Sequence, residues 1–163
     1  MANEPLINRR PKVFYRPAAS AGAGAWTDVS AHFYRFELMP KVASIATGAF
    51  TTVGNKSEKG DPDHDLSVGI NHTRNWSEFS ALLATEFNAE GDTEFMFKAR
   101  GAVATSLDNP YFRCKIKLTS MGKIGGAKND ISRLEESFKT EGQIERSTTA
   151  GDPPADGTFS TYV

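Results

Sequence analysis

Cysteine is almost missing from this chain. Cys114 stands alone, which excludes an intrachain disulfide and any metal site of the CxxC type. Its expected role is that of a small buried apolar side chain. Long apolar runs are missing too: no 18-residue apolar stretch occurs, so no membrane-spanning helix is expected. The opening residues, Met1-Ala2-Asn3-Glu4-Pro5 leading to Arg9-Arg10, carry no apolar core of a secretory leader, and secretion is not expected. The sequons at Asn55, Asn71 and Asn75 therefore carry no glycosylation meaning. An excess of one charge is also lacking: 19 basic residues face 20 acidic ones, a net charge of -1. No overall pull toward nucleic acid or an anionic membrane follows from that balance.

What is present is ordinary globular material. A length of 163 residues suits one core and is short for two, and 39% hydrophobic with 24% charged residues is far from the composition of a disordered chain. Residues 1–10 read as an arm. Lys12 to Arg16 has strand composition, and the flanking Pro11 and Pro17 favour an edge position. His32 to Leu38 alternates, with Phe33, Arg35 and Glu37 on one face and Tyr34, Phe36 and Leu38 on the other. Val42 to Val53 reads as one bent strand broken by Gly48. Residues 54–65 carry no apolar side chain except Pro62 and read as a long exposed loop of the kind that is usually functional.

Leu66 to Ile70 is the next strand, and a helix is expected over 76–89. Asn75 suits its cap and Glu78 the third position, while Trp76, Phe79, Leu82, Leu83 and Phe87 form its core face and Gly91 its stop. Thr93 to Arg100 and Tyr111 to Leu118 read as an antiparallel pair joined by a turn at Leu107-Asp108-Asn109-Pro110. In the second, Phe112, Cys114, Ile116 and Leu118 face in and Arg113, Lys115 and Lys117 face out. Ser132 to Thr140 gives one more strand that Gly142 to Glu145 extends, and 148–163 reads as a flexible arm outside the core. The expected fold is mainly β, a β-sandwich or barrel with one flanking α-helix and a single domain over 11–147.

Chemistry-bearing motifs fail on inspection. Asp61, Asp63 and Asp65 have the opening spacing of an EF-hand, but Leu66 stands where its glycine belongs and His72 where its bidentate glutamate belongs. Gly122 to Lys128 lacks both the glycine spacing and the hydroxyl residue of a phosphate-binding loop, so a turn is the better account. Only His32, His64 and His72 are present, and no nucleophile–base–orienter spacing accompanies them. Neither a catalytic residue, nor a metal, nor a cofactor is expected, and the chain is not read as an enzyme.

In its order of elements the chain resembles the major tail tube proteins of long-tailed, siphophage-type bacteriophages over residues 11–147. The resemblance is carried by the helix ending near Phe87, the strand Glu94-Phe95-Met96-Phe97-Lys98, the segment Asn109-Pro110-Tyr111-Phe112-Arg113-Cys114-Lys115, and Phe138-Lys139-Thr140-Glu141-Gly142. It implies a structural virion protein, made in the host cytoplasm, whose rings of six stack into the hollow tail tube that delivers DNA. Its partners would be further copies of itself, a tape measure protein and tail terminator or tip proteins. DNA would pass the lumen without specific binding, and no membrane partner is implied. The resemblance further makes 54–65 the inter-ring stacking loop, with Asn55, Lys56, Glu58, Lys59, Asp61, Asp63, His64 and Asp65 as its contact residues. Glu37, Glu135 and Glu136 would face the lumen, beside Arg35, Arg133 and Lys139 on the same strands, and the two terminal arms would join subunits.

Two other classes fit the same residues. A head–tail connector or capsid decoration protein would share the β-rich composition but form a closed ring or trimer. An oligonucleotide-binding module would use Arg113, Lys115 and Lys117 beside Tyr111 and Phe112.

Overall fold

The computed structural model describes residues 11–18, 24–46, 57–71, 84–89, 91–118 and 133–162. Its strands are β1 (Lys12–Arg16), β2 (Thr27–Asp28), β3 (Phe33–Met39), β4 (Val42–Ala46), β5 (Ser57–Pro62), β6 (Asp65–Asn71), β7 (Thr93–Lys98), β8 (Tyr111–Ile116), β9 (Arg133–Ser147) and β10 (Ser160–Thr161). Among the described residues the chain is mainly β, with antiparallel pairing throughout, one short α-helical segment at 84–87 and 3-10 turns at Ser30–His32 and Asp156–Thr158. Eight strands join in the order β2-β1-β7-β8-β9-β6-β3, with β10 also on β9, and β4 and β5 pair with each other as a separate ribbon.

β9 organises the sheet. Its first half pairs with β6, from Asn71↔Arg133 to Asp65↔Lys139. Its second half pairs with β8, from Ile116↔Thr140 to Tyr111↔Ser147. The register shifts between Arg113 and Lys115, opposite Gly142, which takes the left-handed φ of 71° that a bulge of this kind demands.

The core lies between the two halves of the sheet. Val13 and Tyr15 of β1, Phe33 and Phe36 of β3, Leu66, Val68 and Ile70 of β6, Phe95 and Phe97 of β7, and Cys114 and Ile116 of β8 are buried together. β3 and β7 are not hydrogen-bonded neighbours, yet the Phe36 ring sits 4.5 Å from Phe97 and 5.8 Å from Phe95 between centroids. The sheet therefore folds over itself, and each buried phenylalanine contributes about 1.5–3 kcal/mol to holding it there. Burial pushes the Cys114 thiol up to about 12.

Several expectations change. Alternation placed Phe33 with Arg35 and Glu37, but a register shift between Phe33 and Arg35 turns Phe33 to the core with Phe36. Trp76, Phe79, Leu82 and Leu83 of the expected helix lie outside the described residues. Phe87 is 43% exposed, so it is not a core residue. The inward residue of that turn is Glu86, whose carboxylate accepts hydrogen bonds from the Ala18 N–H at 2.7 Å and the Thr93 hydroxyl at 2.8 Å.

Residues 57–62 of the expected loop form β5, which pairs with β4 through Ile45↔Glu58 and Ser44↔Lys59. Backbone pairing needs no apolar side chain, which is why composition alone concealed it. Of the expected strand Val42 to Val53, the part after Ala46 lies outside the described residues, as do the amino-terminal arm 1–10, Asn55 and Lys56.

The segment after β9 is not outside the core. Residues 148–159 cover the outer face of β1, β7 and β8, with Pro154 buried and Phe159 packed on the cluster of Phe14, Met96 and Tyr111, and β10 then pairs with β9. All six residues of β7 are buried as a result, because the folded sheet covers one face and this strap the other.

Candidate functional site

Three surfaces carry polar groups in defined geometry. The first is the root of the β4–β5 ribbon. His64, expected in an exposed loop, is 1% exposed and stitches three segments together. Its Nδ1 accepts the Lys41 N–H at 2.9 Å, and its carbonyl accepts the Thr140 N–H of β9 at 3.0 Å. The Asp63 N–H closes the root by donating to the Lys41 carbonyl at 3.0 Å. Lys139 of β9 bonds Asp63 at 2.8 Å and Asp65 at 2.7 Å, and Lys41 also pairs with Asp65. Hydrogen bonds from Lys139 and then Lys41 hold the Asp65 carboxyl below its ordinary range, and Asp63 and Asp65 raise Lys139 in return. Asp61 is exposed on β5.

The second surface is the outer face of β3, β6 and β9. Glu37 pairs with Ser67, Arg35 and Glu135 both oppose Gly69, and the Ser67 and Ser137 hydroxyls meet at 3.0 Å. Tyr34 crosses this face with its ring on Gly69, where a Cβ would come within 2.5 Å of the ring, and its hydroxyl donates to Glu135 at 2.5 Å. The sheet thus brings Glu37 and Glu135 to one face. Glu136 is separated from them, because it opposes Val68 on the core side of β9. Arg35 forms an ion pair with Glu37 at 3.2 Å, so the face alternates in sign.

The third surface is the strap over β8. Asp156 accepts hydrogen bonds from Arg16 at 2.8 Å, Arg113 at 2.9 Å and the Trp26 indole at 3.2 Å. Arg16 and Glu94, 1% and 2% exposed, form an ion pair beneath it, and the Arg16 guanidinium stacks 4.2 Å from the Trp26 ring. Arg113 also pairs with Glu145 at 2.6 Å and lies 4.5 Å from the Phe159 ring. Burial tends to raise the Asp156 carboxyl, but the Arg16 and Trp26 hydrogen bonds outweigh it and the net shift is downward. The Tyr111 hydroxyl donates to Asp152, and Lys98 approaches the same carboxylate at 3.8 Å.

Sequence reasoning missed the strap. Its anchors, Asp152, Asp156 and Phe159, sit among Gly, Thr and Pro residues that read as tail composition. The available signal was the pair of carboxylates four residues apart, followed by Phe159 and Tyr162.

Among the described residues, no cluster of three or more His, Cys, Asp or Glu side chains is arranged to hold a metal ion. No helix there is long and apolar enough to cross a membrane. In comparison with known proteins, no family model and no curated protein matches the chain.

Proposed function

We propose that this chain is a self-assembling structural subunit that builds a hollow tube, as the major tail tube proteins of long-tailed bacteriophages do, with DNA passing through its lumen. The observation that carries this reading is the β4–β5 ribbon. Among the described residues it pairs only within itself, and it is rooted in the main sheet through His64, Asp65 and Lys139. A two-stranded hairpin alone is marginal in water, so a ribbon kept at this length is expected to gain its stability from a neighbouring copy.

On this reading the folded sheet is a β-sandwich flanked by the helix expected over 76–89. The ribbon, with Asp61 and Asp63 exposed along it, reaches the next ring. The face holding Glu37 and Glu135 lines the lumen. Its mixed signs suit a surface past which DNA slides, since net positive charge would retain phosphate. The edge of β3, the last strand of the sheet among the described residues, is then closed by a neighbour, which removes the liability of an unpaired strand. Tape measure and terminator proteins would complete the tail.

The oligonucleotide-binding reading is weakened by the strap. Arg113 is committed to Glu145, Asp156 and Phe159, and Lys115 lies 3.7 Å from Glu94.

The test is negative-stain electron microscopy of the purified full chain over a concentration series, beside a variant lacking residues 55–62, which removes β5 and keeps the buried His64 and its neighbours Asp63 and Asp65 at the root. Wild type is expected to form hollow filaments or stacked rings of uniform width, and the deletion to remain folded without stacking. Isolated closed rings from wild type would move the reading to a connector, and normal tubes from the deletion would remove the stacking role of the ribbon.

A further inference from the structure

The connection between β7 and β8 is an unusually constrained piece of surface. The Asn109 side chain, 2% exposed, accepts the Arg100 N–H at 3.2 Å and donates to the carbonyls of Arg100 and Val103 at 3.0 Å and of Ala104 at 3.3 Å. Ser106 and Asn109 exchange two backbone hydrogen bonds around the tip, Arg100 Nη2 donates to the Asp108 carbonyl at 2.9 Å, and Thr105 ties the loop to the Gly151 carbonyl of the strap. What this scaffold presents is apolar. Leu107 at the tip is 76% exposed, the most exposed large hydrophobic side chain among the described residues, with Asp108 beside it. A rigid turn that holds a leucine in water gains nothing for its own fold. Preorganised apolar anchors of this kind are what interfaces concentrate their energy on.

A matching cavity exists elsewhere on the same chain. Leu38 and Pro40 at the end of β3, Phe97, Phe112 and Tyr162 line an apolar groove of about 230 Å³. That is below the roughly 300–1,000 Å³ of small-molecule sites and of the scale of one inserted side chain. Its rim carries a cation. Arg146 lies directly across the strand pair from Phe112, on the same face, with its guanidinium 5.1 Å from the Tyr162 ring. Among the described residues Arg146 has no carboxylate partner.

We propose that this groove receives the Leu107 turn of a second copy of the chain, with the incoming Asp108 carboxylate paired to Arg146. The inference rests on the self-assembly reading and deepens it by naming a subunit contact that uses neither the ribbon nor the polar face. Knob and groove match in size, in apolar character and in the sign of the adjacent charge, and every copy carries both. A contact between two different patches of one chain propagates head to tail, closing into a ring where the rotation allows it.

The experiment is sedimentation velocity and electron microscopy of the full chain over a concentration series, comparing wild type with Leu107→Ser, Asp108→Arg, Arg146→Asp and the Asp108→Arg/Arg146→Asp double variant. Leu107 and Asp108 are exposed, so their substitutions leave folding intact, with circular dichroism as the check. Leu107→Ser is expected to raise the concentration needed for assembly about ten-fold or more. Each single charge reversal is expected to weaken assembly, and the double reversal to restore it. If wild type assembles and all four variants assemble at its concentration, the contact is wrong and the tube reading stands. Wild type that stays monomeric throughout, with no cross-linked dimer between Leu107→Cys and Tyr162→Cys chains under mild oxidation, would overturn both.

Discussion

Replacing Asn109 with alanine tests whether the loop before β8 is held by one side chain. The amide is bonded to four backbone groups, accepting from one N–H and sharing its own two N–H among three carbonyls, in a site that is 2% exposed. A net contribution near 1 kcal/mol per bond, with part of the loop open to water, gives an expected loss of about 3 kcal/mol. For a chain of this size that is a fall in Tm of about 6–12 °C. Urea unfolding followed by tryptophan fluorescence, at a concentration where the chain is monomeric, measures it without a contribution from assembly. Asn109→Asp is the stricter control, because it keeps the acceptor toward the Arg100 N–H and turns a carboxylate oxygen toward three carbonyls. It is expected to be at least as damaging as alanine. A loss below about 0.5 kcal/mol for Asn109→Ala, the size of an ordinary surface change, would refute the reasoning.

Three further outcomes are expected. Glu94→Gln leaves the Arg16 guanidinium buried without its closest counterion and is expected to cost about 3–5 kcal/mol, whereas replacing both Arg16 and Glu94 with apolar residues costs less than either single change; a chemical-denaturation cycle over the three variants decides it. Gly69→Ala forces the Tyr34 ring off its seat and is expected to destabilise by about 1 kcal/mol in wild type, but to be neutral or stabilising beside Tyr34→Ala, and equal effects in both backgrounds would show that the ring does not set the penalty. Because the Asp156 carboxyl is depressed in the folded chain, its contribution is complete above the unfolded carboxylate value near 4 and is lost as pH falls through the folded value. Wild type is therefore expected to lose stability in that acid window, and Asp156→Asn, weaker at neutral pH, to show a flatter acid limb in thermal melts.

What was legible in the sequence followed from side-chain period. β6 and β8 alternate cleanly because one of their faces meets the core, so Leu66, Val68 and Ile70, and Cys114 and Ile116, could be assigned inward. The strand expected over Ser132 to Thr140 is the first half of β9, where Glu135 and Ser137 oppose Gly69 and Ser67. The irregularities were not legible. A one-residue shift beside Tyr34 moves Phe33 across the sheet, and nothing in the local pattern signals it. β5 escaped notice because a ribbon held by its own backbone needs no apolar residue. His64 looked solvated among aspartates, yet its ring is buried and accepts the Lys41 N–H, while its carbonyl accepts from Thr140, which is distant in sequence. The strap escaped for a related reason: it is anchored by carboxylates to Arg16 and Arg113, which alternation could only mark as outward facing. The resemblance named Glu37, Glu135 and Glu136 as one set, but the alternation along β9 puts Glu135 on the face of Glu37 and Glu136 on the other.

β9 has a mechanical meaning beyond topology. Fifteen residues in extended conformation span about 50 Å, and the strand is hydrogen-bonded to β6 along one half and to β8 along the other. The ribbon is tied to it at Lys139 and Thr140, the point where one partner gives way to the next. A pull on the ribbon is therefore applied at the middle of a tie rod shared by both halves of the sheet. Both ladders would resist in shear, the direction in which many hydrogen bonds must break together. If the chain assembles as proposed, a subunit wired in this way would transmit axial load through its backbone and leave its aromatic core out of the path.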